Sequence, residues 1–313
     1  MRRFAVFGGL LALILAVLGA VGVLYLGQRM DERVVGSYFD SKGVRIHYTD
    51  EGQGEPVILI HGFAANADWN WRAPGVLGAI RDSGYRVIAP DMRGHGLSDK
   101  PETPEAYGGE MAEDIVRLMD HLGIAKAHVI GYSMGAFITL KLITLHPDRL
   151  LSASPGGAGW QKADSENVAK LMRLADSLDS GQGFGPLFEI ISPEGKPPGW
   201  FFSMTTGRLL ARANNVKALA CVARGFRGLE VNEEALKKNT VPTLSIVGTI
   251  DPLRVGVDNM QGVMANLETV YVEGGDHITT LRDRAYLGAI QKFLAKHRQQ
   301  DAPTQTVALR PAA

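Results

Sequence analysis

A serine set between two glycines, Gly131-Tyr132-Ser133-Met134-Gly135, is the feature of this chain that most directly suggests chemistry. A serine hydroxyl is a weak nucleophile at neutral pH and attacks a carbonyl only with a base beside it. The spacing alone is weak, since this composition yields about 0.2 such matches by chance, so the setting decides. An apolar run, Ala127 to Ile130, precedes the motif and a helical pattern, Ala136 to Leu145, follows it. So tight a strand-turn-helix forces strained angles on its central residue, and a Cβ at either glycine would meet the neighbouring strand or helix. The same turn aims the next backbone N–H groups and a helix N-terminus at one spot, where an anion is stabilised.

The base must come from another loop at the same sheet edge. His277, in Gly274-Gly275-Asp276-His277, follows the last apolar run and precedes the last helical pattern, and it is alone among eight histidines in doing so. Such a histidine needs a carboxylate to hold its tautomer. Asp251, in Gly248-Thr249-Ile250-Asp251-Pro252, is the candidate, just past the run at 243–247; Asp276 is the alternative, although adjacent loop side chains usually diverge. After Leu151-Ser152-Ala153-Ser154 no carboxylate occurs before Asp164, which removes another source.

The elements that position these residues are legible as short apolar runs: Val57 to Ile60, Arg86 to Ala89, Ala127 to Ile130, Thr243 to Val247 and Thr269 to Val272. Uninterrupted runs of this length suit strands buried on both faces, hence a parallel sheet. Helical patterns at Met111–His121, Ala136–Leu145 and Arg284–His297 place helices on both sides, an α/β class. A hairpin is expected over Phe39–Asp50, turning at Asp40-Ser41-Lys42-Gly43. The core is expected at 34–159 and 240–299. Residues 160–239 break the alternation and predict a helical cap, with helices through Val168 to Leu178 and Leu209 to Ala223 around a Gly/Pro-rich connector at 181–199. Its aromatics Phe184, Phe188, Trp200, Phe201 and Phe202 fit either a satellite core or an apolar pocket; Tyr132 is a further pocket candidate.

Arg2-Arg3 precede an uncharged stretch, Phe4 to Gln28, long enough at 1.5 Å per residue to span ~30 Å of hydrocarbon. Residues 1–33 are therefore expected to be a membrane anchor, or a cleaved signal, plus a linker, with the body outside the cytoplasm. The 14 residues 300–313 lack periodicity and are expected to be disordered. Lys plus Arg equals Asp plus Glu at 33 each, which argues against a nucleic-acid partner. One cysteine, Cys221, excludes an internal disulfide and a thiolate metal cluster. The other histidines lack metal-site spacing, so no metal is assigned; without a phosphate loop or dinucleotide fingerprint, no cofactor is expected.

The order Ser133, Asp251, His277 in this setting resembles the α/β-hydrolase superfamily. Two further segments carry the resemblance: His61-Gly62-Phe63-Ala64, and Asp91-Met92-Arg93-Gly94-His95-Gly96-Leu97-Ser98-Asp99. It extends over about residues 37–299. It implies a Ser133–His277–Asp251 triad, an oxyanion hole from the N–H groups of Phe63 and Met134, and loop-supporting roles for His61, Gly62, Gly131 and Gly135. Acyl transfer on a small hydrophobic carboxylic ester is the expected reaction. Carbon–carbon, thioester or lactone hydrolysis, or perhydrolysis, on the same triad is the alternative, and a non-catalytic binding domain a further one. Haloalkane dehalogenases and epoxide hydrolases resemble the chain but carry an aspartate at the elbow. His61-Gly62-Phe63-Ala64 also lacks the proline usual in epoxide hydrolases.

Overall fold

In the computed structural model, which describes residues 36–161, 166–193 and 198–299, four of the apolar runs form inner strands of one eight-stranded sheet, while the fifth, Thr269–Val272, lies in an edge strand with only Val272 buried. Its strands are β1 (Ser37–Ser41), β2 (Val44–Glu51), β3 (Glu55–Ile60), β4 (Tyr85–Pro90), β5 (Ala127–Tyr132), β6 (Leu150–Gly156), β7 (Thr243–Gly248) and β8 (Leu267–Val272). They lie in the order β1-β2-β4-β3-β5-β6-β7-β8. Only the β1–β2 and β2–β4 pairs are antiparallel; the others are parallel.

Strand β3 shows why the runs are uninterrupted. Val57, Ile58, Leu59 and Ile60 are all fully buried, and successive side chains enter opposite layers. Ile58 and Ile60 join a core with helices α2 (Gly109–His121) and α3 (Met134–Leu145), through Met111, Ile115, Ile138 and Leu142. Val57 and Leu59 join another with α1 (Val76–Asp82) and α10 (Arg284–Lys296), through Leu77, Ile80, Tyr286 and Phe293. Each such aliphatic side chain contributes about 1.5–3 kcal/mol by leaving water.

Between β6 and β7 lie α4 (Glu166–Asp179), α5 (Gly185–Ile191), α6 (Trp200–Ala213), α7 (Val216–Gly225) and α8 (Glu233–Lys237); α9 (Arg254–Met260) follows β7. One strand lay outside the apolar runs, and two local expectations need correction. Leu150–Gly156 is a strand, hidden in the sequence by Ser152, Ser154 and Pro155 in its middle. The helix expected through Leu209–Ala223 is two helices, because Asn214 leaves the helical region and the Asn215 side chain accepts the Ala218 N–H to start a new one. The connector at 181–199 contains helix α5, with Phe188 and Ile190 buried. The stretch Phe4–Gln28 and the tail 300–313 lie outside the described residues, among which no helix is long and apolar enough to cross a membrane.

The segment after β4 is clamped to α2 by a buried ion pair. Arg93 donates to both Asp114 oxygens, Nε at 2.7 Å and Nη2 at 2.6 Å, and Ser41 donates to Asp114 as well. Burial pushes the Asp114 carboxyl up, and its contacts with Arg93 and Ser41 only partly oppose this. Replacing Asp114 with alanine strands a guanidinium whose side chain is 3% exposed. The expected loss is about 3–5 kcal/mol, read as a lower urea midpoint.

Candidate active site

Ser133 sits between the end of β5 and the start of α3 with φ +56° and ψ −114°, a conformation costing a non-glycine residue roughly 1–3 kcal/mol. The turn is packed too tightly for side chains on its flanks. A Cβ on Gly131 would lie 2.0 Å from the Gly135 carbonyl oxygen, and one on Gly135 would lie 2.0 Å from that of Ile60. The Ser133 N–H donates to the Gly156 carbonyl at 2.9 Å, which ties the turn to β6.

Three sheet-edge loops bring the expected side chains together. Ser133 Oγ is 2.9 Å from His277 Nε2, and His277 Nδ1 is 2.9 Å from Asp251 Oδ2. Asp251 and His277 are each 4% exposed, so the relay is shielded from water. The other Asp251 oxygen accepts the Leu253 N–H at 2.9 Å, fixing the carboxylate toward the ring. Asp276 is engaged elsewhere: its Oδ1 accepts the N–H groups of Ile278 and Thr279 and the Thr279 hydroxyl. That closed turn leaves Asp251 as the carboxylate on His277. An Nδ1–H directed at Asp251 leaves Nε2 free to accept the serine proton.

The loop after β3 abuts the serine. A Cβ on Gly62 would lie 3.3 Å from the Ser133 Cβ, and Ala64 also has a positive φ, +56°. The Gly62 N–H donates to the Asn70 side chain at 2.9 Å. His61 fixes the loop from beneath: its Nδ1–H donates to the Gly62 carbonyl at 2.8 Å and its Nε2 accepts the Met92 N–H at 2.9 Å. Among the described residues, the N–H groups of Phe63 and Met134 have no hydrogen-bond acceptor. Two free donors beside a nucleophile, one of them at a helix N-terminus, suit a developing oxyanion.

The expected pocket residues divide. Tyr132 is 2% exposed and works as a brace: its hydroxyl donates to the His277 carbonyl at 2.9 Å. Phe184 and Phe188 are buried in a cluster with Leu174, Leu178, Leu219 and Ala64, a satellite core resting on the loop beside Phe63. Trp200 and Phe201, at 77% and 55% exposure, stand largely in solvent, because none of the side chains of α6 is buried. Asn70 and the Tyr132 brace leave no mark in the sequence pattern. An asparagine eight residues past a glycine carries no recognisable spacing, and a tyrosine hydroxyl reaching 145 positions along the chain carries none either.

His95 lies beneath this loop, fully buried, with its ring centroid 5.9 Å from that of Phe63 and 5.1 Å from that of His61. Burial, reinforced by nearby His61, pushes its pKa down to about 3 from 6.5. The folded state therefore holds His95 neutral where the unfolded chain would protonate it. This contribution to stability is complete above pH 6.5 and is lost as pH falls toward 3, by up to about 1.4 kcal/mol per pH unit. Urea midpoints at pH 7 and pH 5 should show this loss, and His95→Gln should reduce it.

A family profile described as "alpha/beta hydrolase fold" matches residues 55–179. Epoxide hydrolase A of Mycobacterium tuberculosis is 37% identical over 118 residues, 37% of this chain and 36% of that protein. The 2-hydroxy-6-oxo-6-phenylhexa-2,4-dienoate hydrolase of Burkholderia cepacia is 39% identical over 136 residues, 42% of this chain and 48% of that protein. The chain thus spans less than half the length of these curated relatives. The crystal structure of a hydrolase from Pseudomonas aeruginosa PA01 matches the fold with a TM-score of 0.69 at 21% identity, covering 84% of this chain and 99% of that one.

Proposed function

The chain is a member of the α/β-hydrolase superfamily, and from that premise we propose that it is a serine hydrolase acting by acyl transfer on carboxylic esters with a hydrophobic acyl or alcohol part. The observation that carries this reading is the Ser133–His277–Asp251 relay, with 2.9 Å at each step.

In this scheme Ser133 Oγ attacks the ester carbonyl while His277 Nε2 takes its proton. Asp251 stabilises the imidazolium and keeps the ring oriented. The N–H groups of Phe63 and Met134 receive the tetrahedral oxyanion, where one such donor is worth about 10²–10³ in rate. His277 then protonates the leaving alcohol, and a water activated by the same nitrogen cleaves the acyl-enzyme. A serine rather than a carboxylate at position 133 counts against the epoxide chemistry in the name of one relative. A second reading, hydrolysis of a 2-hydroxy-6-oxo-dienoate on the same triad, is favoured by the 39% identity to the Burkholderia cepacia protein of that name.

The uncharged stretch Phe4–Gln28 behind Arg2-Arg3 supports an anchored enzyme with its catalytic body outside the cytoplasm. Release after signal cleavage is the alternative, and a membrane setting fits hydrophobic esters.

A ladder of p-nitrophenyl esters from acetate to palmitate tests the chemistry. Turnover should rise with acyl length, and Ser133→Ala should lower it by about 10⁴-fold or more. A Ser133→Ala variant near wild-type turnover contradicts the mechanism; a flat response to acyl length contradicts the hydrophobic substrate.

A further inference from the structure

Helix α6 exposes the aromatic residues of its first turn, while Leu210 farther along packs on the cap cluster. None of its 14 side chains is buried, and Trp200, Phe201 and Phe202 at its first turn are 77%, 55% and 57% exposed. From Trp200 to Lys217 the ionisable residues are Arg208, Arg212 and Lys217, all basic and all exposed. At 3.6 residues per turn, Trp200, Phe201, Arg208 and Arg212 fall within an arc of roughly 120°. Aromatic groups at one end of a helix face and cations along the rest match a surface that rests in a bilayer interface, rings at the boundary of headgroups and acyl chains and cations on phosphates.

The placement of α6 agrees. Asn214, which ends it, donates to the Ala64 carbonyl at 3.3 Å, so the helix terminates on the loop beside Phe63 at the carboxyl edge of the sheet. Strand β1 begins at that same edge of the sheet. Ser37 pairs with Tyr48, and Tyr48 with Pro90, the last residue of β4. In the sequence only the eight residues 29–36 separate the uncharged stretch Phe4–Gln28 from β1, a reach of about 27 Å at full extension.

We propose that α6 docks on an anionic lipid bilayer, seating Trp200 and Phe201 at the acyl-chain boundary, with Phe202 at the rim of that face and Arg208 and Arg212 against lipid phosphates. The docked helix turns the Ser133 edge of the sheet toward the membrane. This rests on the anchored reading above, and not on the identity of the ester.

The test uses the full chain in phosphatidylglycerol vesicles, with phosphatidylcholine vesicles in parallel. An environment-sensitive nitrobenzoxadiazole label is placed at Phe201→Cys or, as control, at Leu145→Cys at the far end of α3; native Cys221 is buried. Emission from position 201 should shift to the blue and be quenched by acyl-chain nitroxides, more strongly in phosphatidylglycerol, while position 145 stays unquenched. Combining Trp200→Ser, Phe201→Ser and Phe202→Ser should lower turnover of a vesicle-borne long-chain ester by about tenfold or more, since several aromatic burials are lost. Soluble acetate ester turnover should not change. No quenching at 201, equal quenching at 145, no preference for phosphatidylglycerol, or lipid-free cross-linking of two copies through position 201 would each overturn the proposal. The label needs no turnover, so an inactive enzyme counts against the proposed function alone; flotation of the whole chain reads the anchor separately.

Discussion

The close approach of the Gly135 backbone to the Ile60 carbonyl is the constraint on which the site depends. It sets α3 hard against the end of β3, closer than any side chain at position 135 allows. With α3 held there, the chain leaving β5 has only Ser133 with which to turn, and the serine is driven to positive φ. The strain is small beside the apolar burial that holds α3, with Ile138, Leu140, Leu142 and Ile143 at 2% exposure or less. Because β3 ends in the loop carrying Gly62 and Phe63, the same contact places that loop against the nucleophile. Nucleophile and oxyanion donors are thus products of one packing event.

The base arrives from far along the chain, and its placement is tied back to that turn. Tyr132, next to Ser133, holds the His277 carbonyl, so the residue that ends β5 also fixes the loop after β8. Asp251 reaches the ring from the loop after the neighbouring strand, β7. Parallel strands deliver all three loops to one edge, and for this reason residues 144 positions apart stand 2.9 Å from each other. Beneath them a buried polar layer keeps the loops in register: His61 holds the Gly62 carbonyl and the Met92 N–H, and Arg93 holds Asp114.

The parts legible in the sequence are those with a local cause. Val57–Ile60 and Thr243–Val247 read as buried strands because their aliphatic side chains enter both layers, and the two polar exceptions, Thr243 and Ser245, bond to backbone carbonyls. The Ser133 turn was legible because glycines mark where a Cβ cannot go. What escaped notice has a tertiary cause. Strand β6 carries Ser152 and Pro155, tolerable because their partners are in place: the Pro155 carbonyl accepts the Ser245 hydroxyl and Ser152 meets His128. Two groups of cap aromatics look alike in composition, yet Phe184 and Phe188 are buried while Trp200 and Phe201 are not, and only the packing of α5 against α4 and α7 distinguishes them. Asn70 earns its place through a single backbone N–H, which no spacing announces.

The central claim is that Ser133 is an activated nucleophile, and covalent trapping tests it with no assumption about substrate. The protein would be treated with a fluorophosphonate and its adduct located by peptide mass spectrometry, alongside Asp251→Asn and His277→Ala. The account predicts one adduct, on Ser133, with labelling slowed by orders of magnitude in both variants. No adduct, one on another residue, or equal labelling without His277 would contradict it.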